Sequence, residues 1–201
     1  MKKTFTAAQS MDDDRQHKIL LAAERLVAHY GVAKTTISDI AREARIGVGT
    51  VYLEFTSKDA IVARLASERH ERILNAMRDA SQSQGSCHDR FRAMMTARVR
   101  AFIEVADHGA HASDLIHCSC EAVQNEFEAF KAAQRQVIAE FLRGSSMSGD
   151  FAIHDPDLAA TAILRAYATF TPPLLYHQTF SNLFQELDLM HQLLLDGLSH
   201  R

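Results

Sequence analysis

Helical spacing of apolar residues runs through almost all of this 201-residue chain, and few residues are present that would break a helix. The chain has 3 Pro and 8 Gly, and no segment alternates apolar and polar residues for long enough to form a strand. Because 47% of the residues are apolar, the helices have enough apolar surface to build a core. The sequence therefore predicts an all-α fold of about nine helices.

Capping residues and glycines divide the chain into three parts. Residues 1–11 are polar without periodicity and are predicted to form a disordered arm. Three helices are expected in residues 12–56: the first begins near Asp12 and stops at Gly31, and two short ones follow Thr36 and Gly47. Ser57 is predicted to cap a long fourth helix, which opens a larger helical domain over residues 57–201.

The larger domain should contain the remaining helices. They are predicted over residues 88–107, 112–118 and 121–142, with a polar loop at 144–149. Asp155-Pro156 pairs a capping residue with a proline at the first helical position, and the helix that it starts should last until Pro172-Pro173. Ser181 is predicted to cap a final helix.

The segment Thr35–Ile61 is the most informative for function. Two short helices joined by a tight turn predict a helix-turn-helix. The side chains expected to pack inward are Ile37, Ile40, Ala41, Ala44, Ile46 and Val51. This packing leaves the other face of the second short helix free to enter the major groove of DNA.

The same segment resembles the helix-turn-helix of the tetracycline-repressor-like (TetR) family of bacterial regulators. The residues that match the family pattern are Gly31, Thr36, Ile40-Ala41, Ala44, Gly49-Thr50, Tyr52, Phe55, Ser57-Lys58 and Ile61. The match covers about Asp12 to Leu65, roughly the first third of the chain. Beyond Leu65 the resemblance extends only to the number and length of the helices and to the closing Leu-Leu-Leu-Asp-Gly-Leu.

Candidate DNA contacts lie on and around the second short helix. Thr50 and Tyr52 offer hydroxyl groups, and Lys58, in the first turn of the fourth helix, would help to hold a phosphate. The full predicted set is Lys34, Thr36, Arg45, Val48, Gly49, Thr50, Tyr52 and Lys58. Residues 15–58 carry 7 basic and 4 acidic residues, a mild positive excess that fits phosphate contact.

Three residues of this segment have other expected roles. Val48 replaces the basic residue of many relatives and could only read a thymine methyl group or pack. Glu54 would repel phosphate, so we expect it to point away or to pair with a base. Phe55 is expected to plug the apolar interior under the module.

The resemblance implies a repressor that binds a palindromic operator as a homodimer and is released by a small-molecule effector. In this family the fourth helix connects the DNA-binding module to a ligand pocket, and the last two helices form a four-helix bundle with a second subunit. The final helix independently has an apolar face wider than one partner helix requires. The residues predicted for dimerisation are Leu183, Phe184, Leu187, Met190 and Leu194.

A helical wheel of residues 88–107 places Arg98 in the middle of an apolar face. A buried guanidinium needs a partner, which is either the anion of a ligand or an acid such as Glu121 or Glu126. If Arg98 binds the anion of a ligand, the predicted pocket residues are Phe91, Met94, Met95, Arg98, Phe102, Phe127, Gln134, Tyr167 and Phe170. Aromatic and methionine side chains suggest an apolar or aromatic effector.

A cluster of histidines and cysteines offers an alternative function. His108, His111, His117, Cys118 and Cys120 could sense a metal or redox state, but their spacing fits no standard zinc site, and no metal or cofactor is predicted. An activator is the other alternative. No catalytic motif is found, so the chain is not expected to be an enzyme. No signal peptide or bilayer-spanning run is visible, and a cytoplasmic protein without a membrane partner is expected.

Overall fold

The computed structural model describes residues 7–106, 121–177 and 181–199. Within these ranges the chain forms eight α-helices and two short 3₁₀ turns, Ala168–Phe170 and Leu174–His177, with no strand. The helices are α1 (Ala7–Lys34), α2 (Ile37–Glu43), α3 (Val48–Glu54), α4 (Lys58–Ser81), α5 (Cys87–Ala106), α6 (Glu121–Met147), α7 (Pro156–Ala166) and α8 (Leu183–Ser199). The predicted all-α class is confirmed, and the helical piece predicted over 112–118 lies outside the described residues.

Helix α1 begins within the segment that was predicted to be a disordered arm, and it is interrupted where the sequence placed its end. Gly31 has φ 81° and ψ 162°, a conformation that glycine adopts without steric cost. The hydroxyl group of Thr35 donates to the carbonyl oxygen of Gly31 at 2.9 Å. Gly31 therefore interrupts the helical conformation within α1, which ends three residues later at Lys34.

The capping signals of α2 and α4 are confirmed, whereas the predicted start of the first helix near Asp12 is wrong because α1 begins at Ala7. Thr36 Oγ1 accepts from the backbone N–H of Asp39 at 3.2 Å, and the Asp39 carboxylate accepts from the Thr36 N–H at 3.3 Å, which completes a capping box. The N–H of Ala60 donates to Ser57 Oγ at 3.1 Å at the start of α4. These bonds satisfy N–H groups that have no partner within their own helices.

The described residues form two compact units. The first contains residues 7–68 and 121–127, and the second contains residues 69–106, 128–177 and 181–199. Helix α4 contributes to both, because Glu68 belongs to the first unit and Arg69 to the second. The predicted domain boundary, between residues 56 and 57, falls in the turn that precedes α4.

Two boundaries in the second unit differ from the sequence prediction. Helix α6 continues through Gly144 to Met147, the Ser148 N–H donates to the Gly144 carbonyl oxygen at 3.1 Å, and the loop starts only near Gly149 (φ 82°). Helix α7 starts at Pro156 under the Asp155 cap, as predicted, but ends at Ala166. The effect of the prolines is confined to the residue before them: Thr171, which precedes Pro172, is extended (φ −128°, ψ 139°).

No helix among the described residues is both long and apolar enough to cross a lipid bilayer.

Candidate DNA-binding and effector sites

The helix-turn-helix packs through the side chains that the sequence assigned to its interior. Ile40, Ala41 and Val51 are buried in the core of the first unit. Phe55 is buried in the same core, as predicted. Ile37, Ala44 and Ile46 are partly buried against it. Since Val51 is the buried residue of α3, most of the surface of this helix is left outside the core.

The outward face of α3 combines hydroxyl groups with apolar surface. Tyr52 is 55% exposed and Val48 is 40% exposed, and Thr50 is half-buried. A Cβ atom added at Gly49 would meet no atom within 4 Å, so the helix start is open to a partner. Leu53 is 84% exposed and was missed by the sequence reasoning, although its place nearly opposite the inward-facing Val51 on a helical wheel would have indicated it.

Glu54, the acidic residue of α3, is paired with a basic residue, as expected. Arg15 Nε lies 3.0 Å from Glu54 Oε1, and Gln16 Nε2 donates to Glu54 Oε2 at 3.1 Å. The Glu54 side chain is only 8% exposed. The carboxylate is therefore engaged by α1, and its charge is opposed by a guanidinium.

The predicted polar contacts around α3 have different local roles. The Thr36 hydroxyl group donates to Asp39 Oδ2 at 2.6 Å, a bond that lowers the pKa of Asp39 below its usual value. Lys58 Nζ donates to the Val32 carbonyl oxygen at 2.9 Å and is half-buried. Lys34 and Arg45 are exposed. The hydroxyl proton of Thr36 is thus engaged in the cap, whereas the cations of Lys34 and Arg45 point into solvent.

Arg45 has an unusual backbone conformation for a residue that is not glycine. Its φ is 57°, in the left-handed region, which costs an L-residue about 1–2 kcal/mol. It follows α2 in a Schellman motif: Arg45 N–H donates to the Arg42 carbonyl at 3.2 Å, and Ile46 N–H donates to the Ala41 carbonyl at 3.0 Å. Glycine is the usual residue at this position, so an arginine here carries backbone strain beside the exposed face of α3.

Arg98 is only 1% exposed, as the helical wheel indicated, and its guanidinium is held by neutral groups. Nε donates to Gln134 Oε1 at 2.5 Å, and Nη2 donates to Thr171 Oγ1 at 2.8 Å. The Cζ atom lies 4.9 Å from the centroid of the Phe102 ring. Nη1 has no hydrogen-bond partner among the described residues. Burial lowers the pKa of Arg98 to about 10, so the side chain remains a cation at neutral pH.

The alternative partners for Arg98, Glu121 and Glu126, belong to the first unit. Within the described part of the second unit, no carboxylate forms an ion pair with Arg98. Phe127 is half-buried and also belongs to the first unit. The other predicted pocket residues are buried in the second unit: Phe91, Met94, Met95, Phe102, Gln134, Tyr167 and Phe170.

Tyr167 and His191 add two buried polar side chains to this region of the second unit. The ring centroids of Tyr167 and His191 are 5.8 Å apart, and that of Phe91 lies 6.5 Å from His191. In the described part of the chain the Tyr167 hydroxyl group and His191 Nε2 have no hydrogen-bond partner, and His191 Nδ1 lies 3.8 Å from Asp188 Oδ1, beyond normal hydrogen-bond distance. Burial lowers the pKa of His191 to about 4 and raises the pKa of Tyr167 well above its usual value, so both are neutral at pH 7.

His191 was not among the predicted pocket residues. Its position could have been found from the sequence, because Leu187, His191 and Leu195 are spaced by four residues and lie on one side of α8. A lone histidine in an apolar stripe carries no signal of ligand binding by itself. Its proximity to Tyr167 and Phe91 depends on the packing of α5, α7 and α8.

The predicted dimerisation residues fall on two sides of α8. Leu183 and Leu187 are buried in the core of the protomer, whereas Phe184, Met190 and Leu194 are half-buried. The exposed apolar side chains of α8 are Leu189 (57%) and Leu193 (63%), and Leu158 of α7 is also exposed. The sequence reasoning missed all three.

The histidine and cysteine cluster at residues 108–120 lies outside the described residues, so the metal or redox alternative stays a prediction. Elsewhere, in the described ranges, no three potential ligands are grouped in a way that could hold a metal ion.

Residues 19–65 match the sequence profile described as "Bacterial regulatory proteins, tetR family". Over 60 residues the chain is 37% identical to the HTH-type transcriptional regulator HbdR of Aromatoleum sp. (strain CIB), a match that covers 30% of this chain and 26% of HbdR. It is 26% identical over 167 residues to the uncharacterized HTH-type transcriptional regulator YhgD of Bacillus subtilis (strain 168), which covers 78% of this chain and 82% of YhgD.

The fold is also shared with solved regulators. The transcriptional regulator FadR of Bacillus subtilis, determined in complex with stearoyl-CoA, superimposes with a TM-score of 0.71 at 18% identity, over 90% of this chain and 98% of FadR. Residues 19–65 therefore carry a helix-turn-helix sequence of the kind found in the tetR family of bacterial regulatory proteins, and the chain shares the fold of a solved transcriptional regulator.

Proposed function

We propose that this chain is a repressor that binds a palindromic DNA operator as a homodimer and leaves it when a small-molecule effector binds. The observation that carries the proposal is the outward face of α3, where Val48, Tyr52 and Leu53 are exposed close to the turn that holds Arg45. A short helix packed in this way fits the major groove of DNA, which is about 12 Å wide.

The chemistry of this face suggests how DNA is contacted. Tyr52 and Thr50 offer hydroxyl groups to bases or phosphates, and Val48 and Leu53 offer methyl groups that fit the C5-methyl of thymine. The cation of Arg45, with that of Lys34, fits the phosphate backbone, and its strained conformation is a cost expected of a residue kept for a contact.

The homodimer is supported by the unpaired apolar side of α8. Leu189 and Leu193 are four residues apart and therefore lie next to each other on the helix surface. Burying them against a second subunit would remove apolar surface from water. Two recognition helices placed about 34–36 Å apart would then read the two halves of a palindrome.

Effector response is supported by the buried polar atoms around Arg98 and by the shared fold of FadR, which binds stearoyl-CoA. Helix α4 supplies residues to both units and offers a route by which ligand binding could alter the DNA-binding module. In such a mechanism the effector binds more tightly to the conformation that cannot bind DNA.

The test is to select DNA sequences from a random library with the purified full-length protein and to measure binding at several salt concentrations. A palindromic sequence bound by two subunits is expected. Tyr52→Ala and Arg45→Ala should weaken this binding, and the exposed second-unit substitution Arg135→Gln should leave it unchanged. Enrichment of no sequence, with equal weak binding of all DNA, would contradict the proposal.

A further inference from the structure

Arg98 is oriented by its neutral partners so that one edge of the guanidinium meets no acceptor in the part of the chain that the structure describes. Of its five N–H groups, the Nε–H is given to Gln134 and one N–H of Nη2 is given to Thr171. The hydroxyl proton of Thr171 is engaged in turn, because Thr171 Oγ1 donates to the Tyr167 carbonyl oxygen at 3.0 Å. Among the described residues nothing bonds to Nη1 or to the remaining N–H group of Nη2, and a carboxylate can accept two parallel hydrogen bonds from such an edge.

The surroundings of Arg98 favour an anion. Arg98 and the half-buried Arg92 both exert a positive electrostatic influence on Tyr167, and Arg92 also acts on His191. The part of the second unit that is described places no carboxylate on Arg98. A buried cation is costly unless an anion opposes it, and the described residues of the second unit supply none to Arg98, so an incoming anion would neutralise its charge.

The neighbouring surface is apolar. Phe91, Met94 and Met95 lie on the same buried face of α5, one or two helical turns before Arg98, and the Phe102 ring lies against the guanidinium. The hydroxyl group of Tyr167 adds a second buried donor. A ligand held by its charge at Arg98 would therefore place an apolar body along this face.

We infer that the effector is a small organic carboxylate, whose carboxylate group is bound by Arg98 and Tyr167 and whose apolar body packs on Phe91, Met94 and Met95. This inference rests on the proposed function, since it names the chemical class of the effector in that function. It assigns Gln134 and Thr171 the role of positioning residues that fix the guanidinium.

The experiment measures binding to the full-length protein in the absence of DNA, by calorimetry and thermal shift. The probes are 3-phenylpropionate and octanoate, each compared with its neutral amide, 3-phenylpropanamide and octanamide. Both carboxylates should raise the Tm of the wild-type protein, and the amides should bind roughly 10- to 100-fold more weakly because they lose the charge-assisted hydrogen bonds. Equal binding of acid and amide, or no binding of either acid, would overturn the inference.

Variants locate the binding site. Arg98→Gln should bind acid and amide equally weakly, whereas the matched control Arg135→Gln, an exposed arginine of α6, should bind as the wild type does. If Arg98→Gln does not fold, Tyr167→Phe serves instead, because the hydroxyl group that it removes is unbonded in the described part of the chain. Tyr167→Phe should fold normally and bind the carboxylates about fivefold more weakly. Wild-type affinity in both Arg98→Gln and Tyr167→Phe would overturn the inference.

The same samples separate this inference from the proposed function. Carboxylate binding that depends on Arg98 but leaves operator binding unchanged would support the site and contradict effector release. Operator binding that no carboxylate affects, together with no carboxylate binding, would overturn the inference and leave the DNA-binding function intact.

Discussion

Arg45→Gly should make the protein more stable and a poorer DNA binder at the same time. The left-handed conformation of Arg45 (φ 57°) costs an L-residue about 1–2 kcal/mol, and glycine avoids this cost. Glycine also has more conformational freedom in the unfolded chain, which lowers the free energy of unfolding by about 0.5–1 kcal/mol. The expected net gain in the free energy of unfolding is therefore about 0.5–1 kcal/mol, equivalent to a Tm higher by about 1–4 °C for a chain of this length.

DNA binding should change in the opposite direction, because the substitution removes an exposed cation. Loss of one phosphate contact per subunit should lower the slope of log K against log salt by about 2 for a dimer and weaken operator binding about 10- to 30-fold. Thermal or urea unfolding measures the first effect, and binding titrations at several salt concentrations measure the second.

Arg45→Ala is the matched control, because alanine removes the same cation but keeps the strained conformation. The two variants should bind the operator equally weakly and should differ in stability by about 0.5–1 kcal/mol. If the glycine variant is no more stable than the alanine variant, the argument from backbone strain is wrong. If both variants bind with the salt dependence of the wild type, Arg45 does not contact phosphate.

Three further predictions concern other parts of the chain. Between pH 6.5 and pH 4 the unfolded chain protonates His191 while the folded protein keeps it neutral, so stability should fall as the pH decreases; His191→Phe should reduce this loss in unfolding titrations, and the exposed control His17→Phe should not. Leu193→Asp should weaken self-association at least about 100-fold in sedimentation velocity without unfolding the protomer, whereas Leu53→Asp, the same change at an exposed leucine of α3, should leave the dimer intact. Thr36→Ala should lower the free energy of unfolding by about 1 kcal/mol through loss of the α2 cap, with an unchanged affinity for the operator; weaker operator binding by the folded variant would mean that the hydroxyl group contacts DNA.

The sequence predicted those features whose physical cause lies within a few residues of the chain. The capping box of Thr36 and Asp39 involves groups three residues apart, and Asp155-Pro156 starts α7 through bonds of the same short range. The inward packing of Ile40 and Val51 follows from helical spacing and one tight turn. These local rules were enough to predict the all-α class and the helix-turn-helix, because both depend on spacing along the chain.

Contacts between helices that are distant in sequence were decided by the tertiary structure. Arg98 was predicted to be buried, but its partners Gln134 and Thr171 are 36 and 73 residues away and are set by how α5, α6 and the turn after α7 pack. The pairing of Glu54 with Arg15, a basic residue 39 positions away, is likewise set by the packing of distant helices.

The tertiary structure also decided which side chains are exposed. A helical wheel shows which residues of α8 share a side, but not which side the protomer covers with its own core. For this reason Leu187 is buried and Leu193 is exposed, although both belong to the same apolar helix. Periodicity fixes the direction of a side chain about the helix axis, and only the packing of the other helices determines what it meets.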